Sequence, residues 1–377
     1  MIFSYWEHKI WLKNIDFAII GSGLVGLSCA LQLRQLHPKA KIVIFERGIL
    51  PSGASTKNAG FTCFGSLSEL VDDLKTHSKE EVVALVKERV AGLKLLRNTL
   101  GDKNIAYQEL GGFELFTETQ TALYNECVAQ LPAINNLLRP VFNEDVFSIK
   151  QDSFNFGNVK KTLIFNKFEG QIDTGKMMRT LLKKAIENDI LILNSCEVTN
   201  LHQNDQDVTL AVSEIGNVKA TNVCIATNGF AKQFIDQDVL PARAQVLVTK
   251  PIKNLHIKGT FHLDRGYYYF RNIDNRILLG GGRNLDFKGE MTTKMEVTQQ
   301  IQDALAQILK TILLPNTPFI IDKNWSGIMG VGSQKKPILK QISKSVFCGV
   351  RLGGMGVAIG SSIGKNLADL ASQDISA

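Results

Sequence analysis

Two sets of residues in this chain have types and spacings that could do chemistry. The first is Gly21-Ser22-Gly23-Leu24-Val25-Gly26, a GxGxxG spacing, with Glu46 about twenty residues past its last glycine. Gly21 permits a tight turn, Gly23 has no Cβ to hold a pyrophosphate off the backbone, and Gly26 allows close packing of helix on strand. The helix N-terminus offers free N–H groups and positive dipole, and an acid at the position of Glu46 accepts hydrogen bonds from an adenosine ribose. That acid would repel a 2′-phosphorylated ribose. The second is Arg351-Leu352-Gly353-Gly354-Met355-Gly356-Val357 near the C-terminus, where another glycine-rich stretch places N–H groups at one point.

The elements needed to position these residues are legible. Phe17-Ala18-Ile19-Ile20 reads as a buried parallel strand. A helix follows with Leu24, Leu27, Leu31 and Leu33 on or near one face, ending near His37-Pro38, and Ile42-Val43-Ile44-Phe45 reads as a second strand. Strand, turn, helix, strand and acid fall in order, which favours a dinucleotide site over a glycine-rich turn without a ligand. Val346 to Val350 supplies the strand before the C-terminal turn, and the helix after it runs through Ile363 to Leu370.

Composition excludes several classes. The 377 residues are 44% hydrophobic and 21% charged, ordinary for a globular protein large enough for two domains. The net charge of +7 is dispersed, and the short clusters Lys183-Lys184 and Lys335-Lys336 lack interleaved aromatics, so no nucleic-acid partner is expected. The six cysteines show no CxxC and no histidine at metal spacing, so reduced thiols and no metal are expected. The N-terminal MIFSYWEHKIWLKNI resembles neither a signal peptide nor a spanning segment, giving the expectation of a cytoplasmic protein without stable membrane insertion.

Beyond Glu46-Arg47 the chain is small and polar. In Gly53-Ala54-Ser55-Thr56-Lys57-Asn58-Ala59-Gly60-Phe61 lie the residues of a loop that folds over a flat cofactor and donates N–H groups, although an ordinary surface loop has the same composition. GxGxxG, the Glu-Arg pair and GASTKNAGF in this order resemble the flavoprotein superfamily of D-amino-acid oxidase, glycine oxidase and sarcosine oxidase. Ser4-Tyr5-Trp6-Glu7 is similar to the start of one of its branches. The resemblance implies FAD, bound by Gly21, Ser22, Gly23, Leu24, Val25, Gly26, Glu46 and Arg47 and by the loop Ser55 to Gly60. It extends to Val198, matched to a residue that gives its backbone to the adenine, and to Thr227-Asn228-Gly229 after the strand Val223 to Ala226. Gly353, Gly354, Met355, Gly356 and Val357, with Arg351 beside them, are implied at the flavin pyrimidine edge.

The expected fold class is α/β, with a discontinuous Rossmann-like FAD-binding domain (1–106, 169–240 and 322–377). A second α+β domain with a mainly antiparallel sheet would take 107–168 and 241–321. Helices are expected over Leu67 to Leu100, with a Ser78/Glu81 capping box, then near Glu118 to Leu131 before Pro132 and Pro140. Further helices are expected from Thr174 to Asn188, capped by Asp173, and over Thr292 to Leu313. An aromatic hairpin follows Gly266. Alternation puts Tyr267 and Tyr269 on one face and Tyr268 on the other. By the resemblance this sheet roofs the substrate cavity, which makes Tyr267, Tyr269, Arg283 and Arg351 the candidates for substrate placement; a plain packed sheet face is the competing reading.

Two departures limit the resemblance. Amino-acid oxidases of the superfamily carry an arginine two residues after the glycine of WxG, whereas Trp325-Ser326-Gly327 is followed there by Met329, which forms no bidentate ion pair. Arg283 and Arg351 are left to clamp a carboxylate. No cysteine precedes Cys348 in the region that carries covalent flavin elsewhere, so FAD is expected to be non-covalent. The resulting expectation is oxidation of a C–N bond of an amine or amino acid, with oxygen or an electron carrier taking the electrons. The rivals are a 2-hydroxy-acid dehydrogenase on the same fold and a flavin-bound redox sensor or scaffold without turnover.

Overall fold

A computed structural model describes residues 2–373. The first sheet is built around β1 (Ile15–Ile20), which pairs in parallel with β2 (Ile42–Phe45) on one side and with β11 (Gly216–Ile225) on the other. Next to β2 lies β8 (Leu191–Leu193), and beyond β11 lie β18 (Val346–Val350) and β17 (Ile338–Ser343). An antiparallel flap, β9 (Val198–Gln203) and β10 (Val208–Val212), also hangs on β11. The central strands are buried except at Asp16 near the start of β1, as expected where helices or loops cover both faces. The helices Leu24–Leu36 and Gly356–Gln373 pack on each other against one face. The first strand–helix unit and the last one therefore meet at the centre of this sheet.

The second sheet runs β16 (Ile321–Val331), β12 (Leu240–Thr249), β15 (Arg276–Gly281), β14 (Tyr268–Ile273), β13 (Thr260–Leu263), β4 (Gly112–Leu115), β6 (Thr162–Asn166), β5 (Phe147–Gln151). All neighbours are antiparallel except β13 and β4. One face packs on the helix Gln299–Ile308 over a core that includes Phe261, Phe270, Leu279 and Leu305. A two-stranded ribbon, β3 (Phe61–Thr62) with β7 (Gly170–Gln171), lies apart from the two large sheets.

Three sequence expectations need correction. The helix expected to stop before Pro132 runs from Thr121 to Phe142 through both prolines. Each proline removes one ladder hydrogen bond. Its buried stripe of Leu123, Cys127, Ile134 and Leu138 nevertheless continues, and Asn135 holds the backbone of Val146 and Phe147 at 3.1 and 2.8 Å. The helix expected from Thr292 starts at Gln299, because the preceding segment is held by Arg243 and Gln245 of β12, whose Oε1 accepts Thr298 N at 2.9 Å. Residues 322–331, expected with the FAD domain, lie in β16 and pair along β12 in the second sheet. The expected capping box at Ser78/Glu81 and the Asp173 cap are present, and the ends of the expected FAD domain at residues 1 and 374–377 lie outside the described residues.

Candidate active site

The two sheets enclose a cavity of about 730 Å³. Its floor is the carboxyl edge of the first sheet. Gly21 (φ +101°) makes the turn after β1, and a side chain at Gly26 would overlap the Gly21 carbonyl, so the helix Leu24–Leu36 lies directly on the strand. Gly21, Gly23, Leu24 and Val25 face the cavity; Gly26 is the packing contact beneath. Ser22 does not face it. Its Oγ and N instead donate to Glu46 Oε2 at 2.7 and 3.1 Å, and Gly48 N donates to Glu46 Oε1 at 2.9 Å. The acid is thereby fixed at the end of β2, buried yet on the cavity wall. Arg47 lies beside it with its guanidinium 3.7 Å from the Phe230 ring centroid.

The expected loop is a short helix, Ala54–Lys57, and its continuation. Ser55 Oγ accepts Leu24 N at 2.8 Å, so a side chain from this loop caps the first helix, whose Gly23 has none to offer. Lys57, Asn58, Ala59 and Gly60 line the cavity, while Thr56 turns away and donates to Pro51 O at 2.6 Å. Trp325 Nε1 donates to Lys57 O at 2.9 Å, and the buried Arg271 donates to Ala59 O and Ile172 O. Burial pushes the Arg271 guanidinium down to about 10, still charged at neutral pH. The loop is therefore clamped by the second sheet.

Val198, Thr227 and Asn228 line the far wall; Gly229 packs against Met329 O instead. Asn228 Oδ1 accepts Leu352 N at 3.1 Å, tying this turn to the C-terminal one. There Gly353, Gly354, Met355, Gly356 and Val357 all face the cavity. No neighbour lies within 4 Å of where a Cβ on Gly353 or Gly354 would stand. The N–H groups of Gly354, Gly356 and Val357 have no partner among the described residues. Thr227 Oγ1 is likewise buried without one. Helix-start N–H groups and an orphaned hydroxyl as donors, an anchored acid as acceptor, and bare glycines that let the ligand approach are what a dinucleotide requires, so the residues present fit FAD.

The roof is one face of the second sheet. Register places Glu114, His262, Tyr269, Gly280, Val246 and Trp325 in a row across β4, β13, β14, β15, β12 and β16. Tyr269 and Tyr267 line the cavity, and Tyr268 packs into the core behind, as alternation predicts. Desolvation pushes the Tyr269 phenol up to about 12, so it is neutral. Arg283, at the end of β15, lines the cavity over Phe287, and burial lowers its pKa from the usual guanidinium value. Met329 also lines the cavity.

Arg351 does not reach this chamber. Its backbone is left-handed (φ +62°) and its side chain donates to Asp238 Oδ2 at 2.8 Å, Asp238 O at 2.9 Å and Lys336 O at 2.9 and 3.1 Å. Four of its five N–H groups are engaged and it does not line the cavity, so the expectation that it clamps substrate is corrected: it braces the C-terminal turn.

Three features of the cavity were not singled out from the sequence. His262 is buried on the roof with Nε2 2.9 Å from Glu169 Oε2. Cys63 lines the cavity with Sγ 3.6 Å from Met355 Sδ, and burial pushes its thiol well above the ordinary range. At the mouth, Asp73 meets Lys335 at 2.5 Å and Asp72 lies 3.8 Å from Arg265. The alternation in Thr260-Phe261-His262-Leu263 was the available signal for β13; an isolated histidine in so short a run carries none for a site. No group of side chains able to hold a metal ion occurs among the described residues, and none of the described helices is long and apolar enough to cross a membrane.

Comparison with known proteins agrees with this geometry. Residues 16–370 match the model of the family described as DAO, FAD dependent oxidoreductase. The chain belongs to that family and is an FAD-dependent oxidoreductase. Among solved structures it is similar to glycine oxidase from Geobacillus kaustophilus (18% identity, TM-score 0.75, 96% of this chain and 95% of that one). It is also similar to L-proline dehydrogenase from P. horikoshii (16%, 0.74, 96% and 94%) and iminodiacetate oxidase from Chelativorans sp. BNC1 (18%, 0.72, 94% and 95%). At these identities the likeness is one of fold. A search of curated proteins finds no match.

Proposed function

We propose that the chain oxidises a C–N bond of an amine or amino acid, giving an imine that hydrolyses. The observation that carries this reading is the convergence of two glycine-rich turns on one cavity roofed by Tyr267, Tyr269 and Arg283. Bound FAD supplies the acceptor for the hydride removed from the substrate carbon. Glu46, steadied by Ser22, would accept from the adenosine ribose, and the first-turn N–H groups of Leu24–Leu36 would meet the pyrophosphate. Arg47 and Val198 would flank the adenosine end, and Lys57 to Gly60 the flavin. The free N–H groups of Gly354, Gly356 and Val357 would offset negative charge on the pyrimidine edge, an electrostatic contribution already in place before reaction.

The substrate would lie beneath the roof. Arg283 offers a cation to a carboxylate, and Tyr267 and Tyr269 offer rings and hydroxyls that hold the reacting carbon toward the flavin. With Tyr269 neutral, no wall residue need act as a strong base, consistent with release of a proton from the substrate ammonium to water before hydride loss. Cys63, held as a thiol, is unsuited to attack, and FAD is accordingly assigned as non-covalent.

Iminodiacetate oxidase and L-proline dehydrogenase are named for secondary amines, and glycine oxidase for a primary one. The test is anaerobic mixing of the yellow protein with a panel of primary amines, secondary amines and 2-hydroxy acids. Bleaching of the flavin band by an amine supports the reading, and bleaching only by hydroxy acids replaces it. Acid precipitation that leaves the chromophore in solution confirms the non-covalent assignment. Colour in the pellet overturns it.

A further inference from the structure

Met329 on the cavity wall carries no charge to meet a carboxylate, and Arg351 is held elsewhere. The roof of the cavity nevertheless carries His262 in addition to Arg283. His262 is 5% exposed and lies on the cavity wall directly opposite Tyr269 in the β13–β14 register. Phe61 stands edge-on to both rings, at 5.4 Å from His262 and 5.6 Å from Tyr269. Nε2 is fixed on Glu169 Oε2 at 2.9 Å, and that oxygen also receives Thr260 Oγ1 at 2.9 Å. Nδ1 has no partner among the described residues. A buried ring on the cavity wall, with one nitrogen anchored and the other without a protein partner, is poised to meet a ligand atom.

We infer that His262 is a positioning residue of the substrate chamber, presenting Nδ1–H to a carboxylate oxygen of the substrate while Glu169 fixes the ring. This rests on the amine or amino-acid reading above and narrows it toward amino acids. The groups that face the imidazole are Glu169 from the turn after β6, Glu114 from β4, Glu69 from the helix Leu67–Asp73, and Tyr269 from β14. Burial alone would lower its pKa, but Glu169, then Glu69 and Glu114, more than offset this and raise it to about 9. Both ring nitrogens therefore carry protons at neutral pH, so Nδ1 is a donor and the ring cannot serve as a base. The neighbouring acids leave room for an anion. Glu169 is matched by the imidazolium, Glu114 is pushed up by burial and bonded to Ser66 and Ser68, and Glu69 Oε2 accepts Ser66 N at 2.9 Å.

The experiment titrates purified, flavin-loaded protein with propionate, following the perturbation of the flavin band, with propionamide as the neutral isostere. Wild type is expected to bind propionate at least tenfold more tightly than propionamide, with affinity falling as pH rises through about 9. His262→Phe should weaken propionate at least tenfold, and His262→Asn, which keeps an N–H near Nδ1 without the charge, should recover part of the loss. Glu169→Gln serves where the phenylalanine variant fails to fold. It should move the pH limb from about 9 toward the ordinary histidine value near 6.5. Equal binding of propionate and propionamide, or an unchanged limb in Glu169→Gln and His262→Asn, overturns the inference. Anaerobic reduction of wild type by an amine is scored separately: a wild type that binds propionate in this way but is bleached by no amine leaves His262 assigned and removes the amine-oxidation reading.

Discussion

Ser22 holds Glu46 from two directions, with its hydroxyl at 2.7 Å and its backbone N–H at 3.1 Å on the same carboxylate oxygen. The middle residue of the glycine motif thus aims the acid that ends the next strand. Ser22→Ala removes one charge-assisted hydrogen bond of about 1.5–3 kcal/mol. FAD affinity is expected to fall roughly tenfold or more by the relation of about 1.4 kcal/mol per decade. Titration of apoprotein with FAD, followed by flavin fluorescence quenching, checks this; Ser22→Thr, which retains the hydroxyl, should lose less.

The glycines at the two turns should fail differently. A methyl at Gly26 meets the Gly21 carbonyl, so Gly26→Ala must push helix from strand and should lower the melting temperature of the apoprotein. Gly354→Val extends into open cavity. It should leave apoprotein melting within a degree or two of wild type, by rough expectation for a change that meets no protein atom, and abolish FAD binding. Equal FAD affinity in Gly354→Val and wild type would remove the C-terminal turn from the cofactor site.

Arg243 and Glu290 form a buried fork-to-fork pair, with Nε and Nη2 on the two carboxylate oxygens at 2.8 and 2.7 Å and both side chains almost fully enclosed. Gln245 shares the same carboxylate at 3.0 Å. Removing one partner strands the other charge, which costs about 3–5 kcal/mol in buried pairs. Glu290→Ala should therefore destabilise strongly in urea unfolding. Arg243→Met with Glu290→Leu together should recover much of the loss.

The turns proposed to hold FAD were legible as structure because their signals are local. GxGxxG, the acid after β2 and the C-terminal glycines each lie within a few residues of a strand end, where buried strands and helix starts have strong sequence signatures. The roof was legible only in part. Tyr267 and Tyr269 followed from alternation, whereas His262 depends on a partner 93 positions away, Glu169, which no spacing rule connects. Arg351 misled for the same reason. It adjoins the C-terminal glycine turn, but its direction is set by Asp238, 113 positions away, and by Lys336. Pro132 and Pro140 were read as stops because local propensity opposes them in a helix, and the long buried stripe overrode it.

Protonation of His262 should also be visible as stability. Its folded pKa is raised to about 9 from 6.5, so its contribution is fully present below about 6.5 and lost as pH rises through 9. A shift of that size corresponds to roughly 3–4 kcal/mol at most, since each pKa unit is about 1.4 kcal/mol. The melting temperature of wild-type apoprotein should thus decline more steeply than that of His262→Asn between pH 6.5 and 9. Parallel curves would mean that folding does not raise the imidazole pKa.

Arg283 and Arg351 separate substrate binding from support of the fold. Arg283 lines the chamber, is half-buried, and among the described residues has only the Phe287 ring and neighbouring charges to satisfy it, so a ligand carboxylate would complete its fork. Arg283→Met is expected to lower kcat/KM at least tenfold, mainly through KM, with little change in melting temperature, because the exposed part of the cavity wall tolerates the loss. Arg351→Met removes four hydrogen bonds that join β18's end to Asp238 and Lys336, leaving the Asp238 carboxylate with Ser333 alone. It should lower the melting temperature while KM for the same substrate stays within about twofold, as for a residue outside the binding contacts. Steady-state kinetics and thermal unfolding on the two variants decide the matter. A tenfold rise in KM for Arg351→Met, with Arg283→Met unaffected, would return the clamp to the C-terminal turn.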